Sequence, residues 1–424
     1  MTGNQNPIVP RCRELSRLSR ICKDPSERGD RVLVIVGASA RAAAQSARLA
    51  GFVPAAADLF GDRDLLAASN WIRIEDYPLE VVSAVSRLPD GPWLYTGGLE
   101  NYPDVVDSIA AKRPLFGNPG RVLRAVRNPF RLAEVVRRHG FHAPTSQSQP
   151  PSPRAIGRWL KKPLRSSGGL GIRIVPPVVM DQHPSRSQHV ETTAEDVHGK
   201  SFYQQWIDGS SYSGVFIAAQ GEATLIGATR QMVGRRWTRA PRFAYCGSIW
   251  PSGLDRRRMQ ELSRLGQCLA AEYRLTGLFG VDFIVAGGCM FVLEINPRYT
   301  ASIEVLEQAV PLDQSIVAHH VAACEKHVLP HVDVHPEKSG RFFGKAILFA
   351  DRRASVGPRF ECLLAPIDAA RRWTPLADVP APGTTINVGQ PMVTVRAEAA
   401  TFSALIRCLK QLAVRVRAAL DDPR

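Results

Sequence analysis

The sequence predicts a multidomain protein that mixes α/β and α+β architecture, and three observations carry that prediction. Its 424 residues exceed what one hydrophobic core holds, since single cores stop growing near roughly 250 residues. The chain opens as a βαβ unit, in which an apolar run, a tight turn, an Ala-rich helical stretch and a second apolar run succeed one another. Further on, short strand-like stretches separated by polar turns replace that alternation, as antiparallel sheets require.

The opening unit consists of Arg31 to Val36 (RVLVIV) closed by Gly37, a helix over Ala40 to Leu49, and Phe52 to Ala57 ending at Asp58. A third strand is expected over Pro92 to Thr96, closed by Gly97-Gly98. Helices follow over about Pro103 to Lys112 and Arg131 to Arg138, the second stopped by Gly140 and Pro144. Pro, Ser and Gln from Thr145 to Arg154, and again from Pro176 to Arg186, mark loops around a small unit. Trp159 to Leu164, Ile172 to Val175, Ser201 to Ile207, Tyr212 to Ala218 and Glu222 to Thr229 are expected to form one antiparallel sheet. Asp255 to Tyr273 reads as a long amphipathic helix. Phe279 to Val285 and Met290 to Ile295 read as a hairpin, with helical stretches after it to Cys324. Past Pro336 come a strand over Gly344 to Phe349, a Pro/Gly-rich stretch from Val379 to Pro391, a strand over Met392 to Val395 and a closing helix from Thr401 to about Leu420. Residues 1–30, broken by Pro7, Pro10 and Pro25, read as a mobile or loosely docked extension. The expected domains are therefore 31–118, 119–335 with the small unit at about 145–205, and a β-rich 336–424.

Composition narrows the classes of function. An apolar fraction of 45% with 22% charged residues excludes wholesale disorder and collagen-like repetition. No apolar run approaches the ~18 residues of a membrane span, and the first thirty residues carry Arg11, Arg13, Arg17 and Arg20 without an apolar core, so a secretory signal is not expected. A cytoplasmic protein without membrane partners follows as the expectation. The formal net charge of +15 favours polyanions, but its arginines are scattered along the chain, which reads as a diffuse basic surface and argues against a nucleic-acid partner. The eight cysteines form no CxxC pair, so reduced and mostly buried thiols are expected. His319, His320, His327, His331 and His335 cluster in sequence, but Pro330 and Pro336 interrupt their spacing, which favours helix-end and loop positions over zinc.

The most informative segment is Asp282-Phe-Ile-Val-Ala-Gly-Gly-Cys-Met-Phe-Val-Leu-Glu294-Ile-Asn296-Pro-Arg298. If the hairpin turns through Gly287, Gly288 and Cys289, residue 282 pairs with residue 294, and alternation keeps 294, 296 and 298 on the same face. Facing carboxylates repel unless a cation lies between them. Hard oxygen ligands suit Mg²⁺, which shares protein oxygens with phosphate oxygens. The second segment, Trp159-Leu-Lys161-Lys162-Pro163-Leu-Arg-Ser166-Ser167-Gly168-Gly169-Leu-Gly171, places a basic strand end before a Ser/Gly loop whose backbone N–H groups can approach a polyphosphate. It lacks the GxxxxGK[ST] of a Walker loop. Gly37-Ala-Ser-Ala-Arg-Ala lacks the second and third glycines of a dinucleotide fingerprint.

Together these two segments resemble the ATP-grasp superfamily, in which a Gly-rich flap after Lys-Pro covers ATP and an acidic hairpin ending Glu-x-Asn-Pro-Arg holds Mg²⁺. The N-terminal Val-Leu-Val-Ile-Val-Gly-Ala-Ser-Ala-Arg-Ala, Asp58-Leu-Phe-Gly-Asp62 and Tyr95-Thr-Gly-Gly-Leu-Glu100 are similar to the group of ATP-dependent carboligases related to biotin carboxylase, which includes tyramine-glutamate ligases. The resemblance implies an ATP-grasp fold with an N-terminal Rossmann-like pre-grasp domain and a C-terminal β-rich domain, covering about residues 31 to 325. It implies ATP and Mg²⁺ as cofactors, with Mn²⁺ as an alternative ion, bound through Asp282, Glu294 and Asn296. Lys162, Ser166, Ser167, Gly168, Gly169 and Gly171 become phosphate ligands. Gln204, Gln205, Trp206 and Ile207 become the adenine hinge, with glutamine where Glu is more usual. Arg298 becomes the catalytic arginine over the reacting phosphoryl or acyl group. Many relatives place a Lys where this chain reads Ala125-Val126-Arg127-Asn128, so Arg127 holds phosphate as a fork.

The implied chemistry is activation of a small carboxylate as an acyl phosphate, attacked by an amine, as in amide-forming ligases of one-carbon cofactor assembly. Arg230, Arg235, Arg236, Tyr245 and Ser248 follow the hinge strands and offer charge and hydroxyls to anionic substrates, although a basic surface loop accounts for them equally. A carboxylase acting through carboxyphosphate is the first alternative, without a Met-Lys-Met biotinylation site in the chain. A non-catalytic nucleotide- or nucleic-acid-binding protein is the second. A homodimer is compatible with the resemblance.

Overall fold

The computed structural model describes residues 31–152, 154–176, 201–332, 340–361, 363 and 373–420. The expected extension over 1–30, the loop beyond Pro176, His335 and Cys362 lie outside the described residues.

Strands β1 (Val32–Val36), β2 (Val53–Asp58), β3 (Asn70–Arg73) and β4 (Trp93–Tyr95) form a parallel sheet in the order β3-β2-β1-β4. Helices α1 (Arg41–Leu49), α2 (Arg63–Leu66) and α3 (Val81–Ser86) lie between them in sequence. Ala43, Ala44 and Ala47 are buried and let α1 approach β2 closely. The βαβ opening expected from the sequence is thus present. Helices α4 (Pro103–Ala110), α5 (Gly120–Val126) and α6 (Pro129–Arg138) follow. Asn128 caps α6 by accepting from the N–H groups of Phe130 and Arg131, and Pro129 opens that helix, so the chain breaks sharply after α5 and leaves Arg127 at the corner.

The remaining strands are β5 (Ser146–Gln147), β6 (Trp159–Pro163), β7 (Arg173–Val175), β8 (Ser201–Gln205), β9 (Ser210–Ala219), β10 (Glu222–Val233), β11 (Tyr245–Trp250), β12 (Gly277–Ala286), β13 (Cys289–Asn296), β14 (Phe342–Phe349), β15 (Ala354–Ser355), β16 (Leu376–Ala377), β17 (Thr385–Ile386) and β18 (Pro391–Ala399). The single antiparallel sheet expected over 159–229 is in fact divided. β5 to β8 make a four-stranded sheet in the order β5-β8-β6-β7, whereas β9 and β10 belong to an eight-stranded sheet in the order β13-β12-β9-β10-β11-β14-β18-β16. Burial explains the division. In β8 only Phe202 and Gln204 are buried, as in a two-sided strand, while Val215-Phe-Ile-Ala-Ala219 in β9 is buried on both faces, as in a central one. β11 was not expected from the sequence.

Helices α7 (Arg256–Tyr273), α8 (Ile303–Ala309), α9 (Ile316–Lys326), α10 (Pro358–Glu361) and α11 (Phe402–Ala419) complete the described fold. On one face of the large sheet Phe216, Phe279 and Phe283 pack with Leu262, Leu265 and Leu269 of α7, and the stacked Phe216 and Phe279 rings lie 4.9 Å apart. On the other face Val215, Ile217 and Leu278 meet Ile303, Leu306 and Ile316, in one core with Leu33, Ile35 and Ala44 of the N-terminal unit. Leu405 and Leu409 of α11 cover β14 and β18.

His320 of α9 ties two parts of this core. Its Nδ1 accepts from the Leu278 N–H at 2.8 Å, and Nε2–H then donates to the Phe116 carbonyl at 3.2 Å, so the ring is neutral. Burial pushes its pKa down to about 4. Unfolding raises that value toward the ordinary ~6.5, so the unfolded chain takes up the proton first and stability falls as pH drops from ~6.5 to ~4. Unfolding free energies from urea titrations are expected to decline over this window by at most about 1.4 kcal/mol per pH unit from this group, and His320→Asn is expected to remove that part of the slope.

Candidate active site

The β12–β13 hairpin turns through Gly287 and Gly288 alone, at φ of 54° and 81°, with Ala286 paired to Cys289. A strict two-residue turn would oppose residue 282 to residue 293 and send Glu294 to the core face beside Val292. A bulge at Leu293 restores the pairing of Asp282 with Glu294. The expected pairing is therefore present, but the turn is one residue shorter than expected and the bulge supplies the difference. Leu293, Glu294 and Asn296 all line the cleft that the hairpin faces, together with Asp282 and Arg298.

The two carboxylates differ. Asp282 Oδ1 accepts from Gln231 Nε2 at 3.0 Å and Oδ2 from Asn296 Nδ2 at 3.1 Å. Burial, and then the charge of Glu294, raise its pKa to about 7. Burial also acts on Glu294, but Arg127, Lys162 and Arg298 outweigh it and hold this carboxyl below the usual range. The Glu294 side chain is 41% exposed, so it stands in the mouth of the cleft. Arg127 Nη1 donates to its Oε2 at 3.3 Å.

The small sheet forms the facing wall. Lys162 of β6 donates from Nζ to Gln204 Oε1 at 3.1 Å. Burial, aided by Arg127, lowers its pKa although Glu294 and Asp282 pull the other way. Ser166, Ser167, Gly168 and Gly169 line the cleft, whereas Gly171 packs outside it against Pro163. This loop rests on the body from both sides. Asn101 Nδ2 and Arg127 Nη2 donate to the Ser166 carbonyl at 3.3 and 3.1 Å, and the Tyr245 N–H donates to the Gly168 carbonyl at 2.9 Å. At Gly169, with φ 79°, a Cβ would collide with the Phe243 backbone, so only glycine lets the loop lie this close.

Gln204, Gln205, Trp206 and Ile207 also line the cleft. The structure limits what each has to spare. Gln204 is engaged by Lys162 and by Ser146, whose Oγ accepts from Nε2 at 3.2 Å, and the Trp206 N–H donates to the Arg158 carbonyl at 2.8 Å. The Trp206 ring lies against the Arg158 guanidinium at 4.4 Å and edge-on to Phe243 at 5.5 Å. Arg298 donates from Nη2 to Glu100 Oε1 at 2.7 Å and Asn296 Oδ1 at 3.2 Å, and from Nη1 to the Tyr299 carbonyl at 3.0 Å. Its Nε is buried without a partner.

Of the residues named for an acceptor, Arg230, Arg235 and Tyr245 line the cleft; Arg236 does not. Ser248 is fully buried behind the wall, bonded to Tyr245 Oη at 2.7 Å and Ser302 Oγ at 3.2 Å. His319 pairs with Asp313 at 3.1 Å and His320 is in the core; neither lines the cleft. The N-terminal unit contributes Ala38, Ser39, Arg41, Thr96 and Gly97 from the carboxyl ends of β1 and β4, where open parallel sheets present their ligands. Sequence reasoning missed Glu100 as the partner of Arg298, Gln231 as that of Asp282, and Arg41, Lys345 and Asp378 as cleft residues. Their distance along the chain gave no local signal.

The cleft encloses about 670 Å³, within the range of cofactor sites. Among the described residues no group of three or more His, Cys, Asp or Glu side chains is arranged to hold a metal. Two carboxylates and one amide oxygen nevertheless fit Mg²⁺, which takes its remaining ligands from phosphates and water. Among the described residues no helix is long and apolar enough to cross a membrane.

A family model described as ATP-grasp domain matches residues 126–302. The C-terminal section of the carbamoyl phosphate synthase large chain of Aquifex aeolicus (strain VF5) is 23% identical over 196 residues, which are 46% of this chain and 35% of that relative. The match thus spans about a third of the curated relative. Among solved structures, an ADP complex of N5-carboxyaminoimidazole ribonucleotide synthetase superposes with a TM-score of 0.62 at 16% identity, covering 91% of this chain and 97% of the other. Biotin carboxylase from Campylobacter jejuni, in a βγ-ATP complex, gives 0.64 at 14% identity with 90% of both chains covered. At these identities the fold is what is shared. Residues 126–302 of this chain are an ATP-grasp domain, set within an architecture that the synthetase and the carboxylase have in common.

Proposed function

We propose that the protein is an ATP- and Mg²⁺-dependent ligase that activates a carboxylate as an acyl phosphate for attack by an amine. The observation that carries this reading is the convergence of Asp282, Glu294 and Arg298 on one wall with Lys162 and a glycine loop on the other, with Arg127 bonded to Glu294 at 3.3 Å. Asp282, Glu294 and Asn296 would hold Mg²⁺, which when bound would supply charge to offset that of the phosphates. Lys162 and the N–H groups of Ser167 to Gly169 then hold the β- and γ-phosphates, and Trp206 and Ile207 flank the base. A substrate carboxylate oxygen attacks the γ-phosphorus, and the bond to the bridging oxygen breaks as ADP leaves. The amine nitrogen next attacks the acyl carbon, phosphate departs with the carbon–oxygen electrons, and the amine's proton goes to solvent. We assign to Arg298, which lines the cleft, the steadying of the oxyanion of this second step. No enzyme nucleophile is needed.

The shared fold of biotin carboxylase supports a second reading, a carboxylase acting through carboxyphosphate. ADP release from MgATP, measured against panels of amino acids, amines and bicarbonate, separates the two. Release that needs a carboxylate and an amine together is expected. Release driven by bicarbonate alone would move the protein to the carboxylase reading.

A further inference from the structure

The 3-10 turn Leu99–Asn101 does not line the cleft, but its last two residues bond to groups that do. Glu100 accepts from Arg298 at 2.7 Å. Asn101 Oδ1 accepts from Arg127 Nη2 at 3.0 Å, and Asn101 Nδ2 donates to the Ser166 carbonyl at 3.3 Å. Arg127 Nη2 reaches that same carbonyl at 3.1 Å, while its Nη1 donates to Glu294. Asn101, Arg127 and Ser166 therefore close a ring of three hydrogen bonds. The ring joins the N-terminal unit, the corner after α5 and the first serine of the glycine loop, and Glu294 is tied to it through Arg127.

The turn is a firm anchor for such a ring. Leu99 is fully buried in a core with Trp93, Val106 and Ile109. Gly98 enters the turn at φ 104°, where a Cβ would come within 2.6 Å of Tyr77 Oη, so only glycine allows so tight an approach. Asn101 itself is 9% exposed. The chemistry required at this position is narrow. A guanidinium has only donors and a carbonyl only lone pairs, so the side chain between Arg127 and Ser166 must accept on one side and donate on the other. A planar amide does both. Aspartate could accept from Arg127 but not donate to Ser166, and alanine could do neither. The loop's other tie, from the Tyr245 N–H to the Gly168 carbonyl, is made by backbone alone, so side-chain identity counts at Asn101 and Arg127.

We propose that Asn101 is a positioning residue that holds the glycine loop seated over the cleft. The inference rests on the ligase reading for what the cleft contains, and it gives a part in that reading to a residue that touches neither nucleotide nor metal. Loss of the Asn101 bond to Ser166 frees the loop at its first serine, and a nucleotide under the loop then leaves faster.

The test compares the full wild-type chain with Asn101→Asp and Asn101→Ala. The Tyr245 amide reports whether the loop is seated, because its N–H donates to the Gly168 carbonyl. Without nucleotide, hydrogen exchange at this amide is expected to quicken about threefold to tenfold in both variants, the factor for one lost hydrogen bond, while exchange in β1 and β4 is unchanged. MgADP is expected to dissociate faster by a similar factor. Wild-type exchange at Tyr245 in both variants overturns the proposal. So does faster exchange in β1 and β4 by the same factor, since that marks a general loss of stability. An effect of aspartate without one of alanine also overturns it, because repulsion by an added carboxylate then replaces the lost bond as the cause. If one variant does not fold, the other still decides between seated and lifted loop. A wild type that binds no MgADP would instead remove the nucleotide reading, while exchange at Tyr245 would still decide the role of Asn101.

Discussion

Glu294→Gln is expected to lower ADP-forming turnover by about 10²- to 10³-fold while the protein remains folded. Arg127, Lys162 and Arg298 surround Glu294 and hold its carboxyl below the usual range, whereas burial and the charge of Glu294 raise that of Asp282 in the metal-free protein. The proposed function makes Glu294 a ligand of the ion, and an amide of the same shape removes its charge without removing its bulk. Asp282 would then be the one carboxylate left to hold the ion, and on the proposed function the phosphate charge that builds during transfer would be offset less well. Because the side chain is 41% exposed, solvent screens the loss in the free protein, and the stability change should stay within about 1 kcal/mol. Single-turnover ADP release and a urea titration check both halves. Near-normal turnover in a folded variant would remove the metal role from Glu294.

That hairpin also shows how far the sequence was legible. The alternation of buried Val281 and Phe283 around Asp282 is local information, and so are the strand–turn–helix opening at Gly37 and the glycine loop after Lys162. What the sequence could not show was the bulge at Leu293. Glu294 faces the cleft only because one strand gains a residue on the other, and no residue in Val292-Leu-Glu294 announces it. Counting the turn one residue too long reached the right pairing by a compensating error. The divided sheet is similar, since strand patterns report burial on two faces and not which neighbour provides it. Glu100, Gln231 and Asp378 were out of reach for a simpler reason. Each acts on a residue far along the chain, and their partners Arg298, Asp282 and Arg41 give no local trace of it.

Arg298→Lys is expected to reduce turnover about 10²-fold with MgADP affinity unchanged within about threefold. The choice of lysine follows from the surroundings. Glu100, the main partner of Arg298, is 1% exposed, so Arg298→Ala would strand a buried carboxylate and cost about 3–5 kcal/mol, confounding chemistry with unfolding. Lysine keeps the charge beside Glu100 but has no planar fork. Arginine here binds Glu100, Asn296 and the Tyr299 carbonyl through its two terminal nitrogens and still has Nε without a partner, whereas an ammonium satisfying Glu100 cannot also reach all of these. If Arg298 only anchored Glu100, the lysine variant would fold and turn over nearly as the wild type does. If it meets the reacting group, kcat falls while nucleotide binding, which the proposed function assigns to Lys162 and the glycine loop, persists. Pre-steady-state phosphate release and MgADP titration of the same variant tell these apart, and a turnover within threefold of the wild type would leave Arg298 as a structural tether.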